Sequence, residues 1–162
     1  MKKALLSVLL LSLSATAAHA SSVAEKKAIR SADTDVAAAV EKTQEACGNE
    51  ALSVNHNWDQ FSTMAENNAE MIADKDYKME WIIGQSGERT VATLEALAKI
   101  CSDDEDYREV IAELSAVEVT PKESFDDYQS AFSLDGTTLK VETGYYMSRS
   151  ASDFVERIKA LY

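Results

Sequence analysis

Apolar and polar positions change period several times along this chain, and each change marks an element. Ser22-Val23-Ala24-Glu25 has the Ser-x-x-Glu form of a capping box, and Ile29, Val36, Ala37 and Val40 follow at helical spacing. The spacing predicts a helix from Ser22 to about Ala46, with Asp33-Thr34-Asp35 as a place where it bends or restarts. Gly48-Asn49 suits a left-handed cap. Leu52, Val54, His56 and Trp58 then alternate with polar residues, which predicts a half-buried strand. Phe61, Met64, Ala65, Met71 and Ile72 return to helical spacing until Asp74-Lys75-Asp76 interrupts it. Tyr77 to Ile83 fits a helix or a strand, and Gly84-Gln85-Ser86-Gly87 predicts a turn or a weak helix joint. From Glu88 to Cys101 the helical pattern is strong, with Val91, Leu94, Leu97, Ala98 and Cys101 on one face.

An acidic start at Asp103 to Asp106 opens another helix, buried through Tyr107, Val110, Ile111 and Leu114. Ala116 to Thr120 predicts a strand ended by Pro121. Tyr128, Ser130, Phe132 and Leu134 lead into Asp135-Gly136, and Leu139 and Val141 lead out, which predicts a hairpin with an Asp-Gly turn. Ser150 to Asp153 starts a last helix with Phe154, Ile158 and Leu161 as its stripe. The expected class is α+β: several helices packed with a small antiparallel sheet that includes the C-terminal hairpin.

The first twenty residues fit none of these periods. Lys2 and Lys3 precede an apolar run from Ala4 to Leu13, and Ala18-His19-Ala20 resembles a small-residue cleavage site. The run is shorter than the ~20 residues a membrane span needs. We therefore expect a cleaved signal peptide at 1–20 and a single domain at 21–162. With Ser at position 21 rather than Cys, no lipid anchor is expected, and no later stretch suits stable membrane insertion. The expected location is the periplasm, with secretion as the alternative. Cleavage leaves 142 residues, enough to bury one substantial core.

Charge and cysteine content sharpen this picture. The chain has 16 Lys+Arg against 28 Asp+Glu, a net −12 that becomes −14 once Lys2 and Lys3 are removed. Nucleic-acid binding requires clustered cations and is not expected. In an oxidising compartment, Cys47 and Cys101 are expected to form one disulfide. Zinc fits poorly, because the mature chain has one His and no Cys-x-x-Cys spacing.

Candidate chemistry is sparse. His56 is the sole imidazole after cleavage, on the apolar side of its strand in line with Trp58, and a hydrogen-bonded structural His is the expectation. A calcium loop starting at Asp103 or Asp74 lacks Gly at its sixth position and Glu at its twelfth. Gly84 to Gly87 lacks the Lys of a phosphate loop. No metal or cofactor is expected, and no residue is selected as catalytic. Tyr145-Tyr146-Met147 is the most suggestive segment. Adjacent residues of a strand face opposite ways, so at least one ring should be partly exposed. With Trp58, these three are the candidate partner- or ligand-binding residues, and Trp81 is a possible addition to the patch.

The expected function is therefore an exported protein without catalytic activity, a binding or accessory factor of the cell envelope acting on another envelope protein or a small ligand. Two alternatives are a small carboxylate-dependent hydrolase of an envelope polymer and an acidic stress-related holdase.

Overall fold

The first helix, α1 (Val23–Cys47), begins where the capping box predicts: Ser22 Oγ accepts from the Glu25 amide at 3.1 Å, and Glu25 accepts from the Ser22 amide at 3.0 Å. It runs unbroken through Asp33-Thr34-Asp35 and stops at Gly48, whose φ of 67° is the left-handed cap. The protein is described here from a computed structural model covering residues 22–145 and 149–162. The expected leader at 1–20, and Tyr146 and Met147, lie outside the described residues.

After α1 come β1 (Ser53–His56), α2 (Trp58–Asn67), α3 (Ala69–Asp74), α4 (Met79–Asp103) and α5 (Glu105–Ile111). β2 (Ala116–Pro121), the hairpin strands β3 (Ala131–Asp135) and β4 (Thr138–Thr143), and α6 (Ala151–Lys159) complete the chain. The α+β class holds, with the hairpin turning through Gly136 at φ 58°. The sheet order is β1-β2-β4-β3. Only the β3–β4 pair is antiparallel; β1–β2 and β2–β4 are parallel, so the sheet is mixed where an antiparallel one was expected. Alternation of side chains specifies a strand's faces but not its direction. The direction of β1 relative to β2 is set by the long helical crossover α2–α5 between them.

One face of the sheet is apolar. Val117, Val119, Leu139 and Val141 are fully buried beneath the helices, and β1 extends their rows with Val54 and His56. The other face, with Ser53, Asn55, Glu118 and Glu142, is exposed. α4 is the central element, packed against α1 along much of its length and touching α6, α5 and α2. This surrounding burial explains a correction: Gly84-Gln85-Ser86-Gly87 is neither turn nor joint but the interior of α4. A Cβ on Gly87 would lie 2.8 Å from Ala32 Cβ of α1, so the glycine permits the two helices to approach.

Two boundaries also moved. The predicted strand through Trp58 ends at His56, because Asn57 caps α2 by accepting from the Gln60 amide. The second helical stretch breaks at Asn68. Its side chain donates to Met64 O (2.8 Å) and Glu123 O (2.9 Å) and accepts from the Phe125 amide (3.1 Å), tying α2 to the loop before β3.

Cys47, at the end of α1, and Cys101, in the last turns of α4, are joined by a disulfide with Cα atoms 5.1 Å apart. Both are buried, so the bond fixes the C-terminal ends of the two main helices.

Candidate functional site

Four elements converge on His56 and Trp58. β1 places His56 at the open end of the inward row His56–Val119–Val141–Phe132, where the sheet meets the helices. α2 begins on Trp58, and its ring stacks on the imidazole with centroids 4.4 Å apart and planes 2° from parallel. Phe61, fully buried one turn later, supports the indole from below (5.3 Å). α1 contributes Asp33, whose Oδ1 accepts from Trp58 Nε1 at 3.3 Å. α4 contributes Thr90, whose hydroxyl lies 3.0 Å from His56 Nε2.

These contacts define the state of the imidazole. The Thr90 hydroxyl donates its one proton to Ser86 O at 2.9 Å, so toward His56 it accepts. His56 is thereby assigned as the Nε2–H tautomer, with an unprotonated Nδ1. Burial lowers its pKa to about 4, against the opposing pull of Asp33. At neutral pH the ring is uncharged, donates to Thr90 and braces Trp58.

The stacked pair separates two grooves. One, of about 530 Å³, is lined by Asn55, Asn57, Asp59, Gln60, Glu118 and Thr120 at the end of the sheet. The other, of about 700 Å³, runs between α1 and β1 over Val36, Val40, Leu52 and Val54, with Asp33 and Glu41 on its α1 wall. His56 and Trp58 line both. Every charged residue among the described ones lining either groove is acidic: Asp33, Glu41, Asp59 and Glu118. Trp58 itself is half-buried, an aromatic surface where the two grooves meet.

The other candidate residues fall elsewhere. Tyr145 is buried (1% exposed). It packs on Phe125 (5.0 Å) and Trp81 (6.4 Å), and Trp81 stacks on Tyr77 (4.1 Å). Trp58 and Tyr145 therefore belong to different aromatic clusters. Burial drives the Tyr145 phenol well above its ordinary range. The acidic run has structural employment: Asp104 caps α5 and accepts from Lys159 at 3.3 Å, Asp103 pairs with Lys99 at 2.7 Å, and Glu105 pairs with Arg108.

Arg89, which no sequence pattern singles out, is fully buried. Its Nη1 donates to Gln85 O (3.1 Å) and Gln85 Oε1 (2.9 Å), while Nε and Nη2 have no hydrogen-bond partner among the described residues. Burial lowers its pKa, as does Arg149 nearby, with Glu88 and Tyr145 acting the other way. Its one sequence signal is its place between Gly87 and Thr90-Val91, on a helix now seen to be buried on several sides.

No protein-family model, no characterised protein and no solved structure matches this chain. Among the described residues no helix is long and apolar enough to cross a membrane.

Proposed function

We propose that this chain is an exported protein of the cell envelope that works by binding another envelope protein, without catalysis, through the cleft at His56 and Trp58. The observation that carries this reading is the Trp58 indole. It is held by Asp33, His56 and Phe61 and is half-exposed where two grooves meet. Tryptophan is enriched among the residues that dominate binding energies, since one fixed ring desolvates a large area at little entropic cost. The imidazole beside it is neutral and occupied with Thr90, a bracing role rather than a proton-shuttling one. The acidic rim favours a basic partner, through faster and more selective encounter. The leader-like residues 1–20 and the Cys47–Cys101 bond support a place outside the cytoplasm, with the periplasm as the compartment.

The test is co-purification from envelope extracts with the wild-type protein and a Trp58→Ser variant of unchanged circular dichroism. A partner retained by the wild type and lost by the variant is the expected result. Equal retention by both, or none by either, would remove the basis for this reading.

A further inference from the structure

The groove between α1 and β1 exposes more than side chains. β1 is an edge strand, paired with β2 on one side only. The Ser53 amide donates to Ser115 O at 3.2 Å and the Asn57 amide to Val119 O at 3.3 Å, both on the β2 side. Because backbone groups alternate sides along a strand, the N–H and C=O groups of Val54 and His56 point the other way, into the groove. Gln44 of α1 marks where the open edge starts. Its Nε2 donates to Leu52 O at 2.9 Å, covering the first outward carbonyl. At the opposite edge, Arg157 of α6 donates to Ser130 O just before β3, Phe132 turns its ring to Phe154 of α6, and Ser133 to Asp135 are exposed.

We propose that this edge receives an extended, lysine- or arginine-bearing segment of a partner protein, which adds to the sheet as a strand beside β1. The proposal rests on the binding role given above and names its chemistry. An added strand alternates its side chains. One set lies over the apolar floor of Val36, Val40 and Val54, where long cationic side chains reach Asp33 and Glu41 on the α1 wall. The other set passes on the open side of the sheet, where Glu118 is exposed. The outward amides and carbonyls of Val54 and His56 supply the main-chain hydrogen bonds, and the grooves supply the side-chain preference, the division of labour seen in strand addition generally. Charge decides the occupant. Among the described residues the lining contains four carboxylates and no Lys or Arg, so a basic segment is attracted, and a second copy of the same acidic edge is repelled.

The experiment uses the ¹⁵N-labelled mature protein and three capped heptapeptides: one alternating Lys and Val, one alternating Glu and Val, and the Lys-Val peptide with proline at its centre. Saturating Lys-Val peptide is expected to slow amide exchange at Val54 and His56 at least tenfold, leaving Asn55, already facing β2, unchanged. The Glu-Val and proline peptides are expected to give no such protection. Asp33→Asn with Glu41→Gln keeps the acceptor for Trp58, and should weaken Lys-Val binding roughly tenfold at low salt, with the difference shrinking at high salt. Val54→Pro removes one outward N–H without touching the β2 ladder, and should abolish binding while the chain stays folded. Should that variant fail to fold, the exchange pattern and the charge variant still decide. Binding without protection at Val54 and His56, equal binding of the Glu-Val peptide, or no binding at all would overturn strand addition. A native partner that depends on Trp58 but leaves these amides unprotected would overturn this inference alone and spare the binding role.

Discussion

Gly84 and Gly87 lie one turn apart in α4, and the structure gives them opposite reasons to exist. A Cβ built on Gly84 meets nothing within 4 Å, whereas one on Gly87 meets Ala32 Cβ at 2.8 Å and Ala32 Cα at 3.3 Å. Alanine is better than glycine inside a helix by about 1 kcal/mol, so Gly84→Ala should stabilise the protein by about 0.5–1 kcal/mol. At Gly87 the same gain is opposed by overpacking, which costs about 1–3 kcal/mol where neighbours cannot give way. Ala32 is 5% exposed and its near atoms are Cβ and backbone, so relief requires α1 and α4 to separate. Gly87→Ala should therefore be neutral to destabilising, by up to about 2 kcal/mol. Ala32→Gly, made in that background, removes the clashing methyl. The double-mutant cycle should then report a favourable coupling of about 1 kcal/mol or more. Equilibrium urea unfolding of the four proteins measures this directly, at constant m-value. If Gly87→Ala stabilises as much as Gly84→Ala, and Ala32→Gly couples to neither, the close α1–α4 contact is refuted.

Further expectations concern the brace, the buried cation and the imidazole. Replacing Cys47 and Cys101 by Ala opens a link spanning 54 positions. This should lower unfolding stability by up to about 4 kcal/mol on the chain-entropy estimate, read as a fall in the urea midpoint; no change would deny the bond a structural role. Arg89→Met should leave stability unchanged or raise it by about 1–2 kcal/mol, since it exchanges a buried guanidinium, two of whose nitrogens have no partner among the described residues, for apolar volume; a large loss would contradict this. For His56, the folded pKa of about 4 lies below the unfolded value near 6.5, so the unfolded chain takes the proton first. The stability that depends on neutral His56 is complete above about pH 6.5 and is lost as pH falls toward 4, to a limit of about 3 kcal/mol. A His56 ring titration by NMR with a midpoint above 6 would contradict that assignment.

The elements legible in the sequence were those whose cause is local. The capping box at Ser22, the Gly48 cap and the Asp-Gly hairpin each depend on a few adjacent residues, and each appears where its chemistry places it. What was not legible depended on neighbours distant in sequence. Gly84 to Gly87 resembles a turn until α1 is packed against it. The parallel pairing of β1 with β2 follows from a crossover that no strand encodes. Arg89 has an ordinary helix-former's identity, and only the surrounding elements bury it. At the candidate site, alternation places His56 on the inward face of β1, but Trp58 reaches it from the start of α2 rather than along the strand. Their contacts to Asp33 and Thr90 bridge 25 and 34 positions and leave no local trace. Tyr145 lies past the end of β4, where strand alternation no longer applies, and its burial against Phe125 and Trp81 comes from distant elements.

The proposed envelope role presumes a chain that folds after leaving the reducing cytoplasm. Intact-mass spectrometry of the protein from its native cells, with and without alkylation before reduction, tests this most directly. The expected species begins at Ser21, is two hydrogens lighter than the dithiol form and takes up no alkylating agent until reduced. A species that retains Met1 and the residues to Ala20, or one that alkylates at both Cys47 and Cys101 without reduction, would contradict it.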